Sequence, residues 1–148
     1  MKITEALLAE HLVFHNLFDH IEKIAPRLKT LAEVKVLASL METMLSAHSH
    51  TEDELFMKPL EPSFEQLGHC AIFHHEHDLI EQNLALVHES KSLKHARHLL
   101  LTTVVLCRSH FDKEERIVFP MAERVLKSKT LLELGQSWMN QRNCALLA

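Results

Sequence analysis

Residues 99–121 read LLLTTVVLCRSHFDKEERIVFPM. Leu99, Thr103, Leu106, His110, Glu114, Ile117 and Met121 recur at three- and four-residue intervals, the period that lines up side chains on one face of an α-helix. The stretch therefore reads as a helix whose apolar face turns polar midway, at a His-x-x-x-Glu pair one turn apart. Pro120 has no backbone N–H to donate and should kink this helix or end its regular part.

The same period extends over nearly the whole chain. Four long helices are predicted, from about Thr4 to Ile24, Thr30 to Met57, Ser63 to Glu89 and Ser92 to Leu126, with a last helix from about Thr130 to Asn143. Pro26 stops the first, Pro59 and Pro62 the second, and Ser63 is a candidate N-cap for the third. Short connections favour antiparallel neighbours. The predicted fold is all-α: an antiparallel up-down-up-down four-helix bundle with a short fifth C-terminal helix, one domain over residues 1–148.

Composition agrees with this reading. Two glycines and four prolines in 148 residues are too few turn signals for a many-stranded sandwich or a Gly-rich phosphate loop. A net charge of −4, with no cluster of Lys and Arg among aromatics, gives no footprint for nucleic acid. No uncharged stretch is long enough to span a bilayer, and the acidic opening does not resemble a signal peptide, so a cytoplasmic location is expected. Cys70, Cys107 and Cys144 are odd in number and lack a Cys-x-x-Cys spacing, which suggests reduced thiols in a helical core.

Thirteen histidines are the compositional anomaly. Placed at about 100° per residue, they separate. His11 and His15 lie with Leu7, Phe14, Phe18 and Ile21; His50 and Glu54 share the arc of Val36, Leu40, Thr43 and Met57, with His48 turned away. His77 sits amid Cys70, Phe73, Ile80 and Leu84, with His74 and Glu81 toward the edge, and His110 and Glu114 occupy the seam described above. Each long helix thus turns at least one imidazole inward. Burying unpaired polar groups costs roughly 1 to 3 kcal/mol apiece, and unpaired charges more, so a bound cation is the obvious compensation.

The two halves also match. Setting His50 over His110 aligns Thr43 with Thr103, Glu54 with Glu114 and Met57 with Ile117; setting His11 over His77 aligns Phe14 with Ile80 and Phe18 with Leu84. Two helical-hairpin repeats, 1–60 and 62–126, each supply one His from the first helix and a His-x-x-x-Glu from the second. About a pseudo-twofold axis they would form a dinuclear metal site. Imidazole with carboxylate suits iron, manganese or zinc, and the lack of thiolates at the seam argues against copper(I) and iron–sulfur clusters. Neither Glu-x-x-His nor His-Glu-x-x-His occurs, which excludes ferritin-like and zincin motifs.

His11, His50-Thr51-Glu52-Asp53-Glu54, His77 and the run from His110 to Pro120 resemble the hemerythrin family in its HHE cation-binding branch, and the resemblance covers nearly the whole chain. It implies a non-haem di-iron centre with two bridging carboxylates, terminal imidazoles and one open position for dioxygen, nitric oxide or another small ligand; zinc or manganese could substitute. By this resemblance Glu54 and Glu114 bridge, His11 and His50 serve one iron, and His77 and His110 the other. Oxygen-carrying members have a second His four residues after the third-helix His, where this chain has Glu81; the extra His is His15, four residues after His11. The open position is then expected on the His77/His110 iron, facing Glu81. The implied function is a cytosolic protein that binds a small ligand or handles iron, with a redox enzyme or an iron donor for damaged iron centres as the alternative; no membrane or nucleic-acid partner is expected.

Overall fold

A computed structural model describes the backbone of residues 1–65 and 70–147 and the side chains of residues 1–62 and 75–143. The expectations for Cys70, Phe73, His74 and Cys144 lie outside the described side chains.

Among the described residues all regular structure is helical. Helix α1 spans Ile3–Ile24, and a short 3₁₀ turn at Ala25–Arg27, carrying Pro26, ends it. Helix α2 spans Leu31–Thr51 and starts with a capping box: the Thr30 hydroxyl accepts from the Glu33 N–H, and the Glu33 carboxylate accepts from the Thr30 N–H. Helix α4 spans Cys70–Glu89, and α5 spans Leu93–Lys113 with the Ser92 hydroxyl capping the His95 N–H. A further helix, α7, covers Ser128–Leu147.

Pro59 and Pro62 act differently from expectation. The second long helix does not stop at Pro59. It opens into a π-helical segment, Glu52–Met57, and continues as α3, Lys58–Glu65, with Pro62 inside it. Ser63, expected to cap the third helix, therefore lies within α3. The fourth long helix repeats the device, with a π segment at Glu114–Val118 followed by α6, Phe119–Val125. Proline is excluded from a helix interior because its ring meets the carbonyl four residues back and its missing N–H leaves that carbonyl unbonded. A π-turn bonds to the fifth residue and widens the helix at that point. Pro59 and Pro120 are each the second residue after such a segment, where the displaced carbonyl no longer forbids the ring.

Among the described residues two apolar clusters fill the bundle. One, including Phe14, Phe18, Met41, Leu84, Leu100 and Phe111, occupies the end away from the π segments; the other, including Ile3, Leu7, Phe56, Leu60, Phe119 and Leu131, lies beyond them. Between the two is a layer of buried polar side chains: His11, His48, Glu52, His110 and Glu114 are each at most 2% exposed. No helix among the described residues is long and apolar enough to cross a membrane.

Candidate metal centre

On α2, with Thr51 also buried beside it, a seam of buried positions runs through Val34, Ala38, Met41, Leu45, His48 and, opening the π segment, Glu52. Their spacing of four, three, four, three and four is a regular helical seam. The stripe assumed from sequence, Val36, Leu40 and Thr43, faces outward, with Val36 at 67% exposure. His50 and Glu54 are accordingly exposed, and Glu54 pairs with Lys58 at 2.7 Å. The structure does not bring them to the centre; it brings His48 and Glu52. The π segment accounts for the displacement. From Glu52 to buried Met57 is five residues, the span of a π-turn, whereas extrapolation back from Met57 at α spacing lands on Glu54 and His50. The fourth long helix repeats the five-residue step, from Glu114 to buried Phe119, and leaves Ile117 exposed.

His11, His48, Glu52 and Glu114 offer ligand atoms that all lie within 4.8 Å of one another, and so do Glu52, His77, His110 and Glu114. The two quartets share both carboxylates. Glu114 presents one oxygen to each side: Oε2 is 3.3 Å from His11 Nε2 and Oε1 is 3.0 Å from His110 Nε2. Glu52 Oε2 stands between His48 Nε2 at 3.5 Å and His77 Nε2 at 3.7 Å.

The imidazoles are oriented from behind by carboxylates. Glu115 accepts from His11 Nδ1 at 2.9 Å, Glu10 from His48 Nδ1 at 2.7 Å and Glu76 from His110 Nδ1 at 2.9 Å, while Asp53 stands 3.9 Å from His77 Nδ1. A proton held on Nδ1 leaves the Nε2 lone pair directed inward, the arrangement by which a carboxylate prepares a histidine for a metal. Those inward nitrogens converge in pairs, His11 with His48 at 3.2 Å and His77 with His110 at 2.8 Å. Two imidazoles binding one cation at about 2.1 Å with a right angle between them would set their nitrogens roughly 3 Å apart.

The electrostatics fit the same occupant. Both oxygens of Glu52 and Oε2 of Glu114 are buried without a hydrogen-bond partner. Burial, and then the neighbouring Glu114 charge, push the Glu52 carboxyl well above its ordinary range. Burial acts the same way on Glu114, but His110 and His11 outweigh it and hold that carboxyl low. Burial also lowers the His48 pKa against the pull of Glu10, favouring the neutral ring a metal needs. Orphaned carboxylate oxygens and facing imidazole nitrogens in a buried layer are what cations would satisfy, so the residues fit the metal group. Phe111 closes the layer on one side, its ring stacked on His11 with centroids 3.9 Å apart.

Of the residues singled out from sequence, the structure brings together His11, His77, His110 and Glu114. It leaves four outside both quartets. Besides His50 and Glu54, His15 is held at the rim, where it accepts from Arg108 at 3.2 Å and lies 3.5 Å from Glu115. Glu81 is exposed. It lines a cavity of about 230 Å³ that leads past Ser46 and Ser49 to His48, His77 and His110. Sequence reasoning missed His48, Glu52 and the orienting carboxylates. A signal was present: His48-x-x-x-Glu52-Asp53 repeats His110-x-x-x-Glu114-Glu115 down to the acidic doublet, whereas Glu54 is followed by Leu55. The doublets and the Glu10-His11 and Glu76-His77 pairs supply every orienting group.

Comparison with curated proteins and with solved structures returned no match. Residues 2–122 match the family described as Hemerythrin HHE cation binding domain, over a span that contains both quartets. The chain belongs to the hemerythrin HHE cation-binding family.

Proposed function

We propose that this chain is a cytosolic non-haem di-iron protein that binds dioxygen, nitric oxide or a comparable small ligand, or handles the iron itself. The observation that carries the reading is the pair of quartets sharing Glu52 and Glu114, reached from the surface by a cavity that ends on imidazoles of both. His11 and His48 would hold one iron and His77 and His110 the other, with the two glutamates between them. Six nitrogen and oxygen donors without a thiolate suit iron, and also manganese or zinc. Bound iron would supply an open coordination position and two accessible oxidation states. The chain's own part is to direct imidazole nitrogens inward, to bury their layer between two apolar clusters and to admit small molecules through the cavity lined by His48, His77 and His110.

A redox enzyme is the second reading, favoured by Glu81. Its carboxylate stands in the access cavity together with His77 and His110, where it can hold or deliver a proton to a ligand arriving there. Metal analysis of protein produced with iron supplied, followed by optical spectra with and without oxygen or nitric oxide, tests both. Two irons per chain with a reversible spectral change support ligand binding, and irreversible oxidation with turnover supports the enzyme. Stoichiometric zinc without colour, or no bound metal, refutes the di-iron reading.

A further inference from the structure

The two halves orient their second histidine in the same way, but they steady the orienting carboxylate differently. In the second half Glu76, which accepts from His110 Nδ1, is ion-paired with Lys113 on the same hairpin. The equivalent of Lys113, counted from Glu52 as Lys113 is from Glu114, is Thr51, which brings no charge. Its hydroxyl instead accepts from Arg142 Nη1 at 3.0 Å. Arg142 belongs to α7, and its Nε donates to Glu10 Oε1 at 2.8 Å, beside Trp138 Nε1 at 3.1 Å. Glu10 Oε2 is the atom that accepts from His48 Nδ1. A cation missing from the first hairpin is therefore supplied by a helix outside the span that matches the family, which ends at residue 122.

We infer that α7 is a clamp on one of the two metal positions: Arg142, with Trp138, fixes Glu10 and through it His48, standing in for the lysine that the second half carries in its own hairpin. Arg142, Trp138 and Glu10 are positioning residues. The inference rests on the reading that the quartets hold metal. Alpha7 can approach closely enough because Gly135 passes the N-terminal backbone, where an added Cβ would lie 3.0 Å from the carbonyl carbon of Lys2 and 3.1 Å from the Ile3 nitrogen. Removing an orienting partner of a metal-bound histidine typically weakens binding by about 10- to 100-fold.

The test is release of iron(II) to a chelator under anaerobic conditions, followed by stopped flow on the full chain. Arg142→Gln should accelerate one phase by about tenfold or more and leave the other unchanged, and Lys113→Gln should accelerate the other phase. Adding Thr51→Lys to Arg142→Gln should restore the slow phase, and Trp138 fluorescence should respond to filling of the Arg142-sensitive position only. Melting of the metal-free variants separates loss of fold from loss of grip. Arg142→Gln with release unchanged, or with both phases accelerated equally, overturns the clamp while the parent still binds iron. Failure of Thr51→Lys to rescue overturns the stand-in. A parent chain that takes up no stoichiometric iron overturns the metal reading and the clamp with it.

Discussion

Glu52→Gln should change stability in opposite directions with and without metal. Glu52 is 1% exposed, has no hydrogen-bond partner on either oxygen and shares each quartet with Glu114. Two carboxylates at the 4.8 Å limit of the cluster repel by about 3 kcal/mol at an effective dielectric near 20. Replacing one with a neutral amide of the same shape should therefore stabilise the metal-free protein by about 1 to 3 kcal/mol, a rise of a few degrees in melting temperature for a chain of this length. The same change removes a shared ligand, so the stabilisation that metal gives the parent, about 3 kcal/mol at a hundredfold excess over Kd, should be lost.

The sign with pH follows from the raised Glu52 pKa. A carboxyl that binds its proton more tightly when folded leaves stability intact below its unfolded value of 4.5 and erodes it as pH rises toward the folded value. The advantage of Glu52→Gln in metal-free protein should thus be largest near neutral pH and vanish toward pH 4. Differential scanning calorimetry of chelator-treated and metal-loaded samples at several pH values is the assay. A metal-free variant that melts below the parent, or one that retains both metals, refutes the reasoning.

Four further outcomes are expected. His48→Ala should abolish binding at one position and the associated thermal shift, whereas His50→Ala, at an exposed residue, should change stability by no more than about 0.5 kcal/mol and leave metal content intact; elemental analysis and melting check both. Phe111→Ala should cost about 3 to 5 kcal/mol, because it empties a site that is 1% exposed and removes the ring stacked on His11, read by denaturant titration. Burial pushes the Cys107 thiol up to about 12, so peptide-level mass spectrometry should find it unalkylated in native protein at pH 8 and alkylated once unfolded. Ser46→Trp at the cavity mouth should slow the arrival of azide or nitric oxide at metal-loaded protein without lowering metal content, measured by stopped-flow absorbance.

Most of the helical framework is legible because it depends on local chemistry: Thr30 and Ser92 cap the helices they precede, and apolar residues keep the α period over five turns. His110 and Glu114 are equally legible, since the residues leading up to them, from Leu99 to Cys107, keep an uninterrupted α register. His48 and Glu52 are not, for two physical reasons. Alpha2 exposes Val36 and Leu40, so hydrophobicity alone marks the wrong face. The π segment then adds a residue just where the buried Met57 would otherwise fix the register. A change from four- to five-residue hydrogen bonding leaves no compositional trace of its own, and only the comparison of acidic doublets between the halves reveals it. Glu10 and Arg142 are invisible for a different reason: 132 residues separate them, and only packing of α7 against α1 joins them.

The paired wide turns leave each of the two long rods jointed. Above the joint, a heptad-like seam can drift in sequence as long as it stays oily. Below it, the rod is indexed separately, because the surplus residue uncouples its rotation from what comes before. Straightening either joint, by deleting Asp53 or Glu115, would leave the α-helices on both sides intact and keep Met57 or Phe119 on its buried face, because the wide turn had absorbed the surplus residue. What the waist would lose is the acid that stands behind an imidazole of a neighbouring helix, Asp53 at His77 or Glu115 at His11.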